Sequence, residues 1–255
     1  MKSEAKTPPI VVIGGANMDL SGQAAVAMRS GDSLPGTVRA SAGGVGRNIA
    51  EALARLGRLT KLIAALGDDG FAEDIVRQTS VAGVDLRATL RVPEQTTSTY
   101  LSVLDSAGEM QLAINDMDLV NALTPKVLAE RMRDLEDAKA WVVDANLSED
   151  ALAFIFSNTQ SNIPVFAEPV SVTKAVKLLP WLSRITLLKP NRIEAAALTG
   201  RPEDSPVEDL SRALHDLGVK RVVISQGRDG VWGSDADGDA FAQPIFPVSI
   251  QSVTG

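Results

Sequence analysis

Asn17 and Asp19 lie two residues apart, just after the apolar run Ile10-Val11-Val12-Ile13. An amide side chain offers two donors and an acceptor, while an ionised carboxylate only accepts. Together they can hold a pair of neighbouring hydroxyls, although Asn and Asp also end strands and make turns. A second group is Gly43-Gly44-Val45-Gly46-Arg47-Asn48-Ile49-Ala50. A glycine pair lets the backbone approach a ligand with no Cβ in the way. A helix starting near Val45 to Asn48 would aim its free N–H groups at the same space. The same composition also suits a glycine-rich loop that holds no ligand. Asn191 and Glu194 sit one helical turn apart in Lys189-Pro190-Asn191-Arg192-Ile193-Glu194, so both can face one site. The pair also fits a helix cap with a glutamate at its third position. Gly227 and Gly230 flank Arg228-Asp229, which is good β-turn chemistry. Gly14-Gly15 does not continue into G-x-G-x-x-G, so a dinucleotide fold fails its first test.

Composition narrows the chemistry further. The 255 residues carry a net charge of −7 and are 45% hydrophobic, a globular composition whose acidic surface repels nucleic acid and anionic lipid. A small phosphorylated ligand needs only a local nest of N–H groups and stays allowed. With no cysteine, disulfides, thiolate nucleophiles and cysteine-zinc sites are excluded. His215 is the one histidine. It reads as a surface or capping residue near the end of a helix, where a cation is favoured, so a histidine triad or multi-histidine metal site is excluded. No apolar run approaches the roughly 20 residues of a membrane span, and the polar start followed at once by a strand pattern lacks a signal-peptide core. A cytoplasmic location is expected.

These residues are carried by an alternation of elements. Apolar, β-branched runs end at Ile13, at Leu66 (Leu62 to Leu66), at Val143, Ala167, Leu188 and Ile224. Helical patterns cover Asn48 to Leu56, Phe71 to Val81, Pro125 to Leu135, Ser148 to Phe156 and Glu208 to Leu217. The alternation predicts an α/β fold, a mostly parallel central sheet flanked by helices on both faces. In such sheets ligands sit beyond the carboxyl ends of the strands. Two stretches break the alternation: Leu20 to Ala40, and Thr97 to Met117 with a hairpin around Asp105-Ser106-Ala107-Gly108-Glu109. They predict a small antiparallel sheet standing off the main body, either a lid that excludes water or a plain edge extension.

The spacing Gly43-Gly44-x-Gly46-x-Asn48-x-Ala50, then Gly57 and Gly67, resembles the first signature of the ribokinase-like (PfkB) carbohydrate kinase family, and the likeness covers essentially the whole chain. It implies a single domain over residues 1–255, incomplete at its C-terminal end, with a β-sheet lid from about 17–42 and 97–117. It implies transfer of the γ-phosphoryl of ATP, with Mg²⁺, to a sugar hydroxymethyl. Within the family, Pro35-Gly36, Thr99-Tyr100-Leu101-Ser102, Gly108-Glu109-Met110, Ala113-Ile114-Asn115-Asp116-Met117, Ala145-Asn146-Leu147-Ser148 and Glu168-Pro169-Val170-Ser171 most resemble members that phosphorylate the ribose 5′-hydroxyl of pseudouridine. Another nucleoside or sugar (adenosine, inosine, ribose, fructose) is the alternative substrate. A non-catalytic nucleoside-binding regulator is the alternative class.

Carried over, Asn17 and Asp19 would hold the ribose hydroxyls, with Gly43, Gly44 and Asn48 completing the sugar pocket. Ser98, Tyr100, Asn115 and Met117 would contact the base, though alternate residues of a sheet also serve plain packing. Asn191, Ser225, Gly227 and Gly230 would serve the nucleotide, and Glu194 would hold Mg²⁺ through water. Glu168 stands where similar proteins usually have Asp, and it receives no role. Ser252-Val253-Thr254-Gly255 resembles the start of the second signature, so Gly255 would open the anion hole, with the catalytic aspartate just beyond it. The chain ending at Gly255 is therefore expected to lack activity. A homodimer through the lid sheet is also expected, since exposed edges invite pairing.

Overall fold

The computed structural model describes residues 7–135 and 137–246, the side chain of Asp134 excepted. They form two compact units, residues 14–123 and the remainder on either side. The chain starts in the second, or main, unit with β1 (Ile10–Ile13) and then builds the 14–123 unit.

That unit holds β2 (Asn17–Ala24) and β3 (Gly36–Gly43), then α1 (Val45–Arg55), β4 (Thr60–Ile63), β5 (Ala65–Leu66), α2 (Gly70–Val81) and β6 (Leu90–Arg91). The hairpin of β7 (Thr99–Leu104) and β8 (Met110–Asp116) follows, then a 3₁₀ turn over Asp118–Ala122. Four strands make one sheet in the order β3-β2-β7-β8. The two outer pairings are antiparallel, but β2 pairs with β7 in parallel, which corrects the expectation of an all-antiparallel sheet. The chain between β2 and β7 carries two helices, and such a crossover returns a strand in the same direction. The run Leu62 to Leu66 is also not one strand. It breaks at Ala64, whose carbonyl accepts from Leu90 N–H at 2.8 Å, and its second half pairs in parallel with β6. The core of this unit gathers Met18, Ala50, Leu62, Ile63, Leu66, Ile75 and Leu123.

The main unit continues with α3 (Pro125–Met132), β9 (Ala140–Asp144), α4 (Glu149–Asn158), β10 (Val165–Glu168) and α5 (Val172–Ala175). Then come a 3₁₀ stretch over Val176–Arg184, β11 (Leu187–Leu188), α6 (Arg192–Thr199) and α7 (Val207–Asp216). It closes with β12 (Arg221–Ser225), β13 (Val231–Asp235) and β14 (Ala240–Gln243). Its strands lie in the order β14-β13-β12-β11-β10-β9-β1. From β1 to β12 the pairings are parallel, and the last two are antiparallel. The helical pattern from Pro125 to Leu135 turns 3₁₀ after Met132. The 3₁₀ stretch was not expected; it contains Pro180, which lacks the N–H that an α-helix needs. Leu147, Leu152, Ile155, Leu178, Leu188, Leu210 and Leu214 fill the core between helices and sheet, and Phe156 stacks on Trp181 with centroids 5.4 Å apart.

Helix starts follow local chemistry. Asp69, Thr124 and Ser148 accept from the N–H three residues on, capping α2, α3 and α4, which satisfies one orphan donor each. Among the described residues no helix is long and apolar enough to cross a membrane.

Candidate active site

In the 14–123 unit, the register of the four-stranded sheet sorts the expected acceptor residues. Ser41, Asp19, Tyr100 and Asn115 are successive partners across β3, β2, β7 and β8. In-register neighbours share a face, and residues two apart return to it. Gly43 and Asn17 are the next row on that face. Ser98 and Met117, one step beyond β7 and β8, extend it. Seven residues chosen from sequence thus occupy two adjacent rows of one sheet face. Asn17 and Ser98 are buried, Tyr100 and Met117 half-buried and Asn115 exposed. The Tyr100 hydroxyl approaches Met110 Sδ at 3.7 Å.

Asn17 donates from Nδ2 to Asp19 Oδ1 at 2.6 Å. Asp19 is half-buried, and its pKa is raised: desolvation outweighs the Asn17 hydrogen bond and the charge of Arg47. Its other oxygen lies over Gly43, where a Cβ would stand 2.1 Å from Asp19 Oδ2. A side chain at 43 would therefore displace the carboxylate beside it. Gly44 is the N-cap of α1 and uses no side chain for the purpose. Its carbonyl accepts from Asn48 N–H at 2.8 Å. Asp69 ties the entry to β7 in place, accepting from Thr97 N–H at 2.7 Å and Thr97 Oγ1 at 2.6 Å. Arg47 is 7% exposed and lies at the centre of this region; composition gave no signal for it beyond its place in the glycine motif.

In the main unit, polar residues collect at the carboxyl ends of the parallel strands. Asp144 and Glu168 are in register at the ends of β9 and β10. Lys189, just past β11, donates to Glu168 Oε2 at 3.2 Å. The pKa of Glu168 is raised, chiefly by desolvation, against the attraction of Lys189 and with the nearby charge of Glu194 adding to it. Asn191 and Glu194 form a reciprocal capping box at the start of α6, each bond 2.8 Å long, and Glu194 is 3% exposed. The capping arrangement is therefore present, and it fixes both side chains at the end of the sheet. Asn191 bridges to Ser225 in parallel. Gly227 opens a 3₁₀ turn over Gly227–Asp229. At Gly230 an added Cβ would meet Gln243 O at 2.1 Å, so the close approach there is that of the strand β14. Val170 has φ +70, a strained backbone for a β-branched residue; strain of this kind clusters at functional sites.

His215 sits in the last turn of α7, half-buried, with Nδ1 2.8 Å from Val219 O and Nε2 2.8 Å from Ser234 Oγ. A carbonyl only accepts, so Nδ1 carries the proton, and the ring is a structural link. Gly255 lies outside the described residues, as does the motif that begins at Ser252.

The model of the pfkB family of carbohydrate kinases matches residues 8–255, and the chain belongs to that family. Pseudouridine kinase of Escherichia coli (strain K12) is 42% identical over 249 residues, covering 96% of this chain and 79% of the relative. Pseudouridine kinase of Arabidopsis thaliana is 30% identical over 242 residues, 86% of this chain and 63% of the relative. Among solved structures, a carbohydrate kinase from Agrobacterium tumefaciens superposes with a TM-score of 0.81 at 31% identity, covering 90% of this chain and 74% of that one. The fold is ribokinase-like α/β.

Proposed function

We propose that the protein transfers the γ-phosphoryl of ATP to the ribose 5′-hydroxyl of pseudouridine. The observation that carries this reading is the shared sheet face of Gly43, Asn17, Asp19, Ser98, Tyr100, Asn115 and Met117. Asp19 and Asn17 would hold the ribose hydroxyls beside Gly43, Gly44 and Asn48. Tyr100, Asn115, Ser98 and Met117 would read the base, and a C-nucleoside differs from uridine in the base edge it presents. The likeness to two pseudouridine kinases supports this substrate.

On the main unit, Asn191, Ser225, Gly227 and Gly230 would receive the nucleotide. Mg²⁺, when bound, would neutralise charge on the β- and γ-phosphates. Among the described residues no cluster of three or more acidic, histidine or cysteine side chains can hold a metal directly. The donor set is instead the buried carboxylate Glu194 with Glu168 near it. That fits a cation held mainly by phosphates and water, with Glu194 as its outer partner. The catalytic aspartate is assigned to the family signature that Gly255 opens. Positioning and electrostatic stabilisation would supply the rate.

We place the enzyme in the cytoplasm, where ATP and free nucleosides occur. We also propose a homodimer through the four-stranded sheet. Alternation puts Leu20, Leu101 and Ile114 in one row, and Val38, Val103 and Leu112 near them, on the face opposite Asp19. Val38, Leu112 and Ile114 are 80%, 55% and 56% exposed.

ADP release by the product of the complete gene, with Mg²⁺-ATP and pseudouridine, uridine, adenosine, inosine, ribose or fructose, tests the reading. Release strongest with pseudouridine is expected. Preference for another compound would discard the substrate, and silence across the panel would favour a nucleoside-binding regulator.

A further inference from the structure

Arg47 is the most heavily engaged side chain in the 14–123 unit. Its Nε donates to the buried Thr79 Oγ1 at 3.1 Å, and Nη1 donates to Ala42 O at 3.1 Å and to Asn48 Oδ1 at 3.0 Å. Nη2 pairs with Glu51 Oε2 one turn along α1, and its backbone N–H reaches Gly15 O at 3.0 Å. Glu51 is held in turn by Arg55 at 2.7 Å. This brace joins β3, α1, α2 and the turn after β1.

Its chemistry has a consequence for the two asparagines. A guanidinium only donates, so the atom of Asn48 beside Arg47 is the oxygen. The Asn48 amide nitrogen is then turned away from Arg47, as a donor. Asp19 only accepts, so the atom of Asn17 beside it is the nitrogen, and the Asn17 oxygen is turned away as an acceptor. Two charges of opposite sign thus orient two amides in opposite senses around the Gly43-Gly44 turn. Asp19 lies against Gly43, and Asn48 N–H is bonded to Gly44 O. A hydroxyl both donates and accepts, so two adjacent hydroxyls match this split set of acceptors and donor.

We propose that Arg47 is a positioning residue that locks the Asn48 amide with its nitrogen outward, and that this lock makes the site select a cis-diol over a deoxy sugar. A site built to bond a hydroxyl rejects the analogue that lacks it because its own polar groups are left unpaired. The inference rests on the acceptor-site reading above.

The test uses the complete gene product as wild type, Arg47→Met, Asn48→Asp and Thr79→Val, with pseudouridine and its 2′-deoxy analogue. Arg47→Met is expected to raise the KM for pseudouridine by about tenfold or more, the scale of one lost hydrogen bond to a hydroxyl. Its kcat and its KM for ATP should stay within about twofold, and its ribo-to-deoxy preference should fall toward unity. Asn48→Asp retains a partner for Arg47 and removes the outward donor, so it should lose the same preference without loss of thermal stability. Thr79→Val loosens the brace but leaves Asn48 bonded, and should keep the preference. Retention of the preference by Arg47→Met, or by Asn48→Asp should Arg47→Met fail to fold, overturns the proposal. Side-chain amide NMR of Asn48 without any ligand separates this inference from the substrate reading. Resonances displaced by Arg47→Met support the lock even if pseudouridine is not the substrate, and resonances unmoved by it overturn the lock.

Discussion

At the scale of single residues, the proposed acceptor site rests on one carboxylate and the missing Cβ beside it. Gly43→Ala would place a methyl 2.1 Å from Asp19 Oδ2, so the carboxylate must move. An ångström of misplacement in a positioned group costs up to about a hundredfold. The expected outcome is a pseudouridine KM raised at least tenfold, with the KM for ATP unchanged, read by steady-state kinetics. The pKa of Asp19 is raised by burial, so it becomes protonated at a higher pH than an ordinary carboxylate near 3.8. A protonated Asp19 gives up an acceptor. The pseudouridine KM should therefore rise as pH falls on the acid side, at a higher pH than an unperturbed aspartate would give, and Asp19→Asn should remove that dependence. Arg47 shows where reading by residue type stops. Its position in the glycine motif was plain, but Thr79 lies 32 residues away, and a partnership at that separation has no local signature.

At the scale of elements, α6 is defined by the box between Asn191 and Glu194. Asn191→Ala removes the side chain that caps α6 and the amide proposed to receive the nucleotide, while the backbone N–H of residue 191 still holds Glu194 Oε2. Loss of a cap costs about 1 kcal/mol, up to about 2, so a lowered thermal midpoint is expected together with reduced kcat. Restored stability but not restored kcat in Asn191→Ser would separate the cap from the catalytic contribution. Elements were legible where one signal dominated. Ile10 to Ile13 is continuously apolar and β-branched, and β1 has those bounds. The box at Asn191 marked the start of α6, and the helical patterns from Phe71 and Ser148 began within a residue of α2 and α4. The run Leu62 to Leu66 misled because apolar content cannot report that Ala64 changes partner. The parallel pairing of β2 with β7 was hidden for the same reason: direction is set by the crossover, not by either strand's residues.

At the scale of the whole molecule, the sequence conveyed the alternation of the main unit and the two stretches that interrupt it. Strand order and the antiparallel pair at β13 and β14 came only from the structure. The sheet of the 14–123 unit has a face that carries the proposed acceptor residues and an apolar face that leaves Val38, Leu112 and Ile114 exposed. Burial of apolar area of this kind drives association. Sedimentation equilibrium of the complete gene product is expected to show a dimer. Ile114→Glu should shift it toward monomer, and an unchanged mass would remove this face from the interface.

Transfer to the ribose 5′-hydroxyl defines which bond the proposed reaction makes. Phosphorus NMR of the product formed from Mg²⁺-ATP and pseudouridine tests it directly. The expected result is a phosphate monoester whose phosphorus couples to the two 5′ protons of the ribose. An ester at another hydroxyl, or no phosphorylated nucleoside at all, would contradict the account.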